Sequence, residues 1–238
     1  MSAINMDIHR AEDRYTADHG WLRSNFSFSF ADYADADNWH FSSLRVLNDD
    51  YISPGTGFDL HPHHNMEIVT IVLEGQLEHQ DSSGNKEFIL PGQVQRMSAG
   101  TGIYHSEHNA SEEKKLHLLQ LWFFPELKDA VPSYETFTYG LDHLRGQLLP
   151  VVSNKSGELN TAHIHQDMTL YLSKPGAGQT ICFRQQAARS TYIFVIEGHL
   201  KLHDGTLLYS RDDARIINTN EIRITANEDS HFMLIDLP

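Results

Sequence analysis

The sequence predicts an all-β chain built from two sandwich- or barrel-like domains. Short runs rich in β-branched and aromatic residues recur between glycine, proline and Asn/Asp turns roughly every eight to twelve residues. No sustained 3.6-residue period interrupts them in the N-terminal half. A weak internal repeat is also present: Ile68-Val69-Thr70-Ile71-Val72-Leu73-Glu74-Gly75 is echoed by Thr191-Tyr192-Ile193-Phe194-Val195-Ile196-Glu197-Gly198. Both copies are a β-run that ends in Glu-Gly and is followed by a shorter strand.

The Phe/Ser alternation over 25–30 reads as a strand with a phenylalanine face, followed by an acidic loop. Residues 43–47 form a short strand closed by an Asn48-Asp49-Asp50 turn. The loop 53–57 leads through Phe58-Asp59-Leu60 into His61-Pro62-His63, where Pro62 demands an edge or a local break. Residues 67–73 read as a buried strand, 76–80 and 86–90 as a hairpin, 94–97 as a strand and 116–124 as a long apolar strand. The polar, irregular stretch 125–146 marks a domain junction, which divides the chain into 1–130 and 131–238. Strands at 148–152, 167–173, 180–183, 191–197, 199–203 and 232–237 follow, with Cys182 expected to be buried and inert.

Composition narrows the classes. The 238 residues are 40% hydrophobic and 21% charged, as in a globular protein. A net charge of -14 and the lack of any basic run argue against direct nucleic-acid binding, which depends on clustered Lys and Arg. The single cysteine excludes an intrachain disulfide and a thiolate metal cluster. Residues 1–14 show no apolar signal-peptide core, and no run approaches the roughly 20 apolar residues of a membrane span. A cytoplasmic protein is therefore expected.

Chemistry concentrates in His61-Pro62-His63-His64-Asn65-Met66-Glu67 and His105-Ser106-Glu107. On a strand, His61 and His63 project together and Pro62 points away, and the same period of two puts His105 and Glu107 on one face. If the two segments converge, three imidazoles and a carboxylate hold a divalent metal with positions left open. His163-Ile164-His165 has the same spacing without a partner motif and reads as surface. His64 faces away from the pair, and His79, His108 and His117 read as hydrogen-bonded structural histidines. Met66, Met97, Phe30 and Trp122 are core residues by default and candidate walls for an aromatic ligand.

Three stretches together resemble the pirin family of the cupin superfamily: Phe28-Ser29-Phe30-Ala31-Asp32-Tyr33, His61-Pro62-His63, and Met97-Ser98-Ala99-Gly100-Thr101-Gly102-Ile103-Tyr104-His105-Ser106-Glu107. The resemblance implies a bicupin of two jelly-roll-like domains, with one metal in the N-terminal domain and a degenerate C-terminal copy. Carried over, the metal ligands are His61, His63, His105 and Glu107. Cupins in general take their carboxylate four residues after the second histidine, a spacing that makes Glu67 a rival to Glu107. The family's own His-x-Glu pattern favours Glu107. Registering the repeat on its Glu-Gly places Arg184 and Gln186 opposite the His-x-His, and Asn227-Glu228-Asp229-Ser230, with His231 beyond, near the His-x-Glu.

His64-Asn65-Met66 is similar to a bacterial subgroup with quercetinase activity. The resemblance thus implies a dioxygenase acting on quercetin-like flavonols with O2, opening the heterocycle with loss of carbon monoxide; Glu107, or Glu67, is the candidate general base for the flavonol hydroxyl. Imidazole and carboxylate donors suit Fe(II) first, then Mn, Co or Ni, with Cu and Zn also compatible. The alternative is a metal- or redox-responsive regulatory module that docks a protein partner. A deep cavity above the metal favours the enzyme; a filled one favours regulation.

Overall fold

The computed structural model describes residues 5–238. The chain forms two compact units, one comprising Tyr15–Tyr139 with Asn160–Gln166, the other the chain up to Arg14 with Gly140–Leu159 and Asp167–Pro238. These units interleave in sequence, so a single junction near residue 130 does not describe them. Two local causes are visible: β12 (Ser133–Thr138) zips onto β9 (Gln93–Ser98), and β1 (Asn5–His9) pairs with β20 (Asp213–Ile217). The first four residues of the expected N-terminal domain, and of the segment screened for a signal peptide, lie outside the described residues.

The first unit contains β2 (Tyr15–Asp18), β3 (Leu22–Phe26), β4 (Leu44–Ile52), β5 (Gly57–His63), β6 (Glu67–Glu74), β7 (Leu77–Asp81), β8 (Lys86–Ile89), β9, β10 (Ile103–Asn109), β11 (Leu116–Phe123), β12 and the short β14 (Ala162–His163). They make an antiparallel sheet ordered β12-β9-β6-β11-β4-β3-β2 and a smaller one ordered β5-β10-β7-β8. Pro62 lies on the edge strand β5, where its missing N–H breaks no internal ladder.

The second unit contains β1, β13 (Leu149–Ser153), β15 (Thr169–Ser173), β16 (Thr180–Arg184), β17 (Ser190–Glu197), β18 (His199–Leu202), β19 (Leu207–Tyr209), β20, β21 (Glu221–Ala226) and β22 (His231–Leu237). Its larger sheet runs β1-β20-β17-β22-β15-β13 and its smaller one β16-β21-β18-β19. The β17–β22–β20 arrangement repeats that of β6–β11–β9, as the Glu-Gly echo implied. Among the described residues no helix is long and apolar enough to cross a membrane.

Three local expectations are corrected. Asn48-Asp49-Asp50 is not a turn but the buried middle of β4, because partners await each acid: Ser24 donates to Asp50, and His117 Nε2 lies 2.7 Å from Asp49. The strand expected over 25–30 ends at Phe26, and beyond it Ser29 Oγ donates to the Asp35 carbonyl in an irregular turn. Cys182 is exposed, since β16 alternates and turns Ile181 and Phe183 inward instead.

The pairing also corrects the register of the repeat. Leu77 faces Asn109 and, two residues past the equivalent glycine, Leu200 faces Ala226. Stepping back along β10 reaches Glu107 and His105; stepping back along β21 reaches Ile224 and Ile222, with Phe183 across from Ile222 as His61 is from His105. The positions of His61, His105 and Glu107 are therefore matched by Phe183, Ile222 and Ile224, all in the apolar core of the second unit, and not by Arg184 or residues 227–230. The β16–β17 connection is longer than the β5–β6 connection, so counting back from Glu-Gly slips by one residue, and one residue flips the face.

In the second unit, Arg14 donates to Asp213 at 2.9 Å with both side chains buried, and its guanidinium covers the Phe194 ring at 4.6 Å. Removing one partner of a buried pair strands the other charge. Arg14→Ala is expected to lower stability by about 3 kcal/mol, read as a reduced urea midpoint at unchanged m-value.

Candidate metal centre and its cavity

β10 alternates buried and less buried residues, which turns Ile103, His105, Glu107 and Asn109 into the unit. On β5 His61 and His63 are half-buried while Pro62 is exposed. The two strands pair antiparallel with His61 opposite His105, and a register shift between His105 and Glu107 re-aims the side chains locally. The imidazoles of His61, His63 and His105 converge: their ring centroids are 4.4–4.9 Å apart, and one donor atom from each lies within 4.8 Å of the others. Glu107 belongs to a second such group with His105 and His79, so His105 is common to both.

The donor set fits a divalent cation. His105 is 1% exposed, yet neither of its ring nitrogens has a hydrogen-bond partner. A buried unsatisfied polar group costs about 1–3 kcal/mol, and a metal removes that cost. Nδ1 of His61 lies 2.7 Å from the Asp59 carbonyl, which makes it the protonated nitrogen and leaves Nε2 as the donor. Burial, reinforced by the neighbouring imidazoles, pushes His63 and His105 down to about 3, so both are neutral and ready to coordinate at physiological pH. Burial raises the Glu107 carboxyl, opposed by the nearby histidines, by the Thr70 hydroxyl close to it and by the hydrogen bond from Gln120.

Glu67 takes no part in either donor group. It begins β6, which belongs to the larger sheet, whereas His61 and His63 lie on the smaller one. Asn65, at φ 47°, breaks the strand between them, so parity cannot be counted across it. Glu67 instead accepts from Ser98 Oγ at 2.8 Å and from the His165 backbone N–H at 3.2 Å. His163 and His165 are accordingly half-buried rather than free surface residues, with the His163 N–H donating to Glu135.

The other histidines have structural partners. Nε2 of His79 meets Asp81 and Nδ1 meets Gln95, so both its nitrogens are engaged although it lies beside the centre. His117 stacks on Tyr51 at 4.0 Å, His108 meets Asp59 at 3.3 Å, and His64 is exposed.

Sequence reasoning missed a polar row of which Gln95, Thr70 and Gln120 hold the centre. Gln95, Thr70, Gln120 and Asn48 are successive cross-strand neighbours on the larger sheet. Gln120 Nε2 donates to Glu107 at 2.8 Å, the Thr70 hydroxyl lies 3.4 Å from Glu107 and donates to Gln120 at 2.9 Å, and Gln95 reaches His79 at 3.2 Å. The available signal was a polar residue in the middle of an apolar strand, as with Thr70 and Gln120.

A cavity of about 380 Å³ opens onto this centre. His61, His63 and Glu107 line it, with Trp21, Phe26, Phe30, Phe58 and Trp122 among its walls. Ser24, Asn48, Asp50 and Gln120 add polar surface. Burial raises the Asp50 carboxyl to about 7, a shift opposed by the Ser24 hydrogen bond and reinforced by Asp49 and Glu107. Of the residues expected to wall a cavity, Phe30 and Trp122 do so, whereas Met97 is core and Met66 packs against it.

Two β-sandwich units, one with a three-histidine cluster beside a buried carboxylate, define a bicupin with a candidate divalent-metal donor set in its first unit. The Pirin family profile matches residues 8–123, and one described as "Quercetinase C-terminal cupin domain" matches residues 151–237. Quercetin 2,3-dioxygenase from Escherichia coli (strain K12) is 43% identical over 97% of this chain and 98% of its own. A pirin-like protein from Caulobacter vibrioides is 38% identical, covering 92% of this chain and 94% of its own. The crystal structure of bacterial pirin YhhW from Escherichia coli in complex with nickel(II) superposes with a TM-score of 0.92 at 41% identity, covering 98% of this chain and 99% of the other. The chain belongs to the pirin family.

Two measurements probe the centre. A divalent metal at 100 times its Kd is expected to stabilise the protein by about 2.7 kcal/mol; His105→Ala is expected to abolish this thermal shift and Gln120→Leu to weaken metal affinity about 10–100-fold. Without metal, His63 and His105 titrate lower in the folded than in the unfolded chain. Their contribution to stability is therefore complete above the ordinary histidine value and is lost as pH falls from about 6.5 towards 3. Metal-free wild type is expected to lose more stability than His105→Gln on acidification from about pH 7 to pH 4, measured by urea denaturation at each pH.

Proposed function

We propose that this chain is a metal-dependent dioxygenase that cleaves a flavonol-like aromatic with O2, with His61, His63, His105 and Glu107 as its ligands and Fe(II) as its metal. The observation that carries the reading is the cavity: an aromatic-walled space of about 380 Å³ leads directly to the donor cluster. Such a volume lies in the range of small-molecule sites, and its ring-lined walls suit a planar substrate. The quercetin dioxygenase relative supports the same class of substrate.

When bound, the metal lowers the pKa of a coordinated substrate hydroxyl and supplies redox chemistry with O2. The protein's residues do the rest. The neutral His63 and His105 present lone pairs without competing protons, and His61 is oriented by the Asp59 carbonyl. Glu107, whose carboxyl is raised by burial, accepts the proton of the flavonol 3-hydroxyl, and Gln120 keeps it aimed. The aromatic walls exclude water from the electron-rich enolate. Both atoms of O2 enter the product as the ring opens and carbon monoxide leaves.

The test is aerobic turnover of quercetin by metal-free protein reloaded separately with Fe(II), Mn, Co, Ni and Cu. Metal-dependent loss of flavonol absorbance with matching O2 uptake is expected, absent in His105→Ala and reduced by about 10²-fold or more in Glu107→Gln. Tight metal binding with neither flavonol nor O2 consumed would sink the enzyme reading in favour of a metal-responsive regulatory module.

A further inference from the structure

The cavity wall formed by β3 and β4 carries polar groups that the metal centre does not use. Asn48 is 4% exposed and lines the cavity, and its Oδ1 has no hydrogen-bond partner. Trp122 Nε1 is likewise buried without an acceptor, on a side chain that also lines the cavity and lies edge-on to His63 at 4.8 Å. Asp50, 2% exposed, takes a hydrogen bond from Ser24 on Oδ1, and its carboxylate has two acceptor oxygens. None of the three supports Glu107, which Gln120 and Thr70 already hold.

One unmatched acceptor, Asn48 Oδ1, and one unmatched donor, Trp122 Nε1, in an otherwise aromatic cavity that Asp50 also lines describe the ligand chemistry it suits. Apolar contact fills the walls, but Asn48 Oδ1 needs a group that gives a hydrogen bond and Trp122 Nε1 one that takes it. A phenolic hydroxyl has that capacity; a bare aromatic edge does not. A site built around a substrate hydroxyl rejects the analogue that lacks it, because its own buried polar groups are then left unpaired.

We propose that Asn48 and Asp50, with Trp122 on the same cavity, form a hydroxyl-recognising subsite that selects polyhydroxylated aromatics over those carrying only the metal-chelating group. This rests on the reading that the cavity takes a chelating aromatic substrate. Asn48 and Asp50 act in it as specificity determinants, placed on adjacent inward positions of one strand. The Ser24 hydrogen bond fixes the Asp50 side chain before the ligand arrives.

The experiment compares quercetin with 3-hydroxyflavone, which keeps the chelating group and lacks the other ring hydroxyls. Dissociation constants are measured without O2 on the metal-loaded protein, by quenching of tryptophan fluorescence. Wild type is expected to prefer quercetin by about tenfold or more. Asn48→Leu and Asp50→Leu are each expected to cut that preference to about threefold or less while leaving 3-hydroxyflavone affinity unchanged. Asp50→Asn, which keeps hydrogen-bonding capacity, is expected to retain most of the preference. Retained binding of 3-hydroxyflavone reports an intact cavity, and Asn48→Leu carries the test should Asp50→Leu fail to fold. Equal affinities in wild type, or full preference in both leucine variants, would overturn the subsite while leaving the proposed activity standing. Failure of wild type to bind either flavonol would overturn the proposed function and the subsite with it.

Discussion

The hydrogen bond from Gln120 to Glu107, and the cross-strand row it belongs to, is the constraint that the first unit is arranged around. Imidazoles and a carboxylate inside a β-sandwich displace apolar side chains from the place where a core gains most, and a buried carboxylate without partners is costly. The larger sheet answers with a layer of polar residues, Gln95-Thr70-Gln120-Asn48, set between apolar rows that contain Leu118 and Val72 on one side and Trp122, Ile68 and Met97 on the other. The apolar interior is thereby divided into clusters, one around Ile52, Leu77 and Leu116 and another around Ile68, Met97 and Ile103. Gln95, Thr70 and Gln120 of that row hold Glu107 and His79, and the apolar clusters provide much of the burial that stabilises the unit.

The second unit shows the same architecture with that constraint lifted. Its corresponding cross-strand row is Ala214-Ile193-Leu234-Tyr171. The positions that match His61, His105 and Glu107 are Phe183, Ile222 and Ile224. Donors and the groups that hold them are replaced together, and the result is a continuous apolar core that runs from Phe183 to Leu234. The joint replacement has a simple physical reason. A polar row without a carboxylate or metal to bind, or ligands without their row, leaves buried hydrogen-bonding groups unpaired.

The cavity beside the centre exists for a related reason. Asn48 and Asp50 bring polar groups to the wall where β3 meets β4, and the rings of Trp21, Phe26, Phe58 and Trp122 stand around the remaining space. Trp21 meets Phe58 edge-on at 5.2 Å, and Phe30 meets Trp122 edge-on at 5.3 Å, so the walls brace one another without filling the space. Site and cavity therefore share elements: β11 contributes both Gln120, which positions Glu107, and Trp122, which packs against His63.

The sequence by itself determined the all-β class, the duplicated Glu-Gly unit, the need for an edge or a break at Pro62 and the two histidine motifs. Each follows from rules with short reach: period-two alternation, turn residues and the missing N–H of proline. Tertiary structure alone decided the rest. Parity allowed both Glu67 and Glu107, but a turn at Asn65 sends β6 into the other sheet, where Glu67 meets Ser98 and His165. Asn48-Asp49-Asp50 has turn composition and is strand, because Ser24 and His117 from neighbouring strands supply the partners that a turn would have found in water. The polar row, the cavity and the true register of the second unit belong to the same class. They arise from pairing between residues far apart in the chain, and local pattern carries no information about which strand will lie alongside.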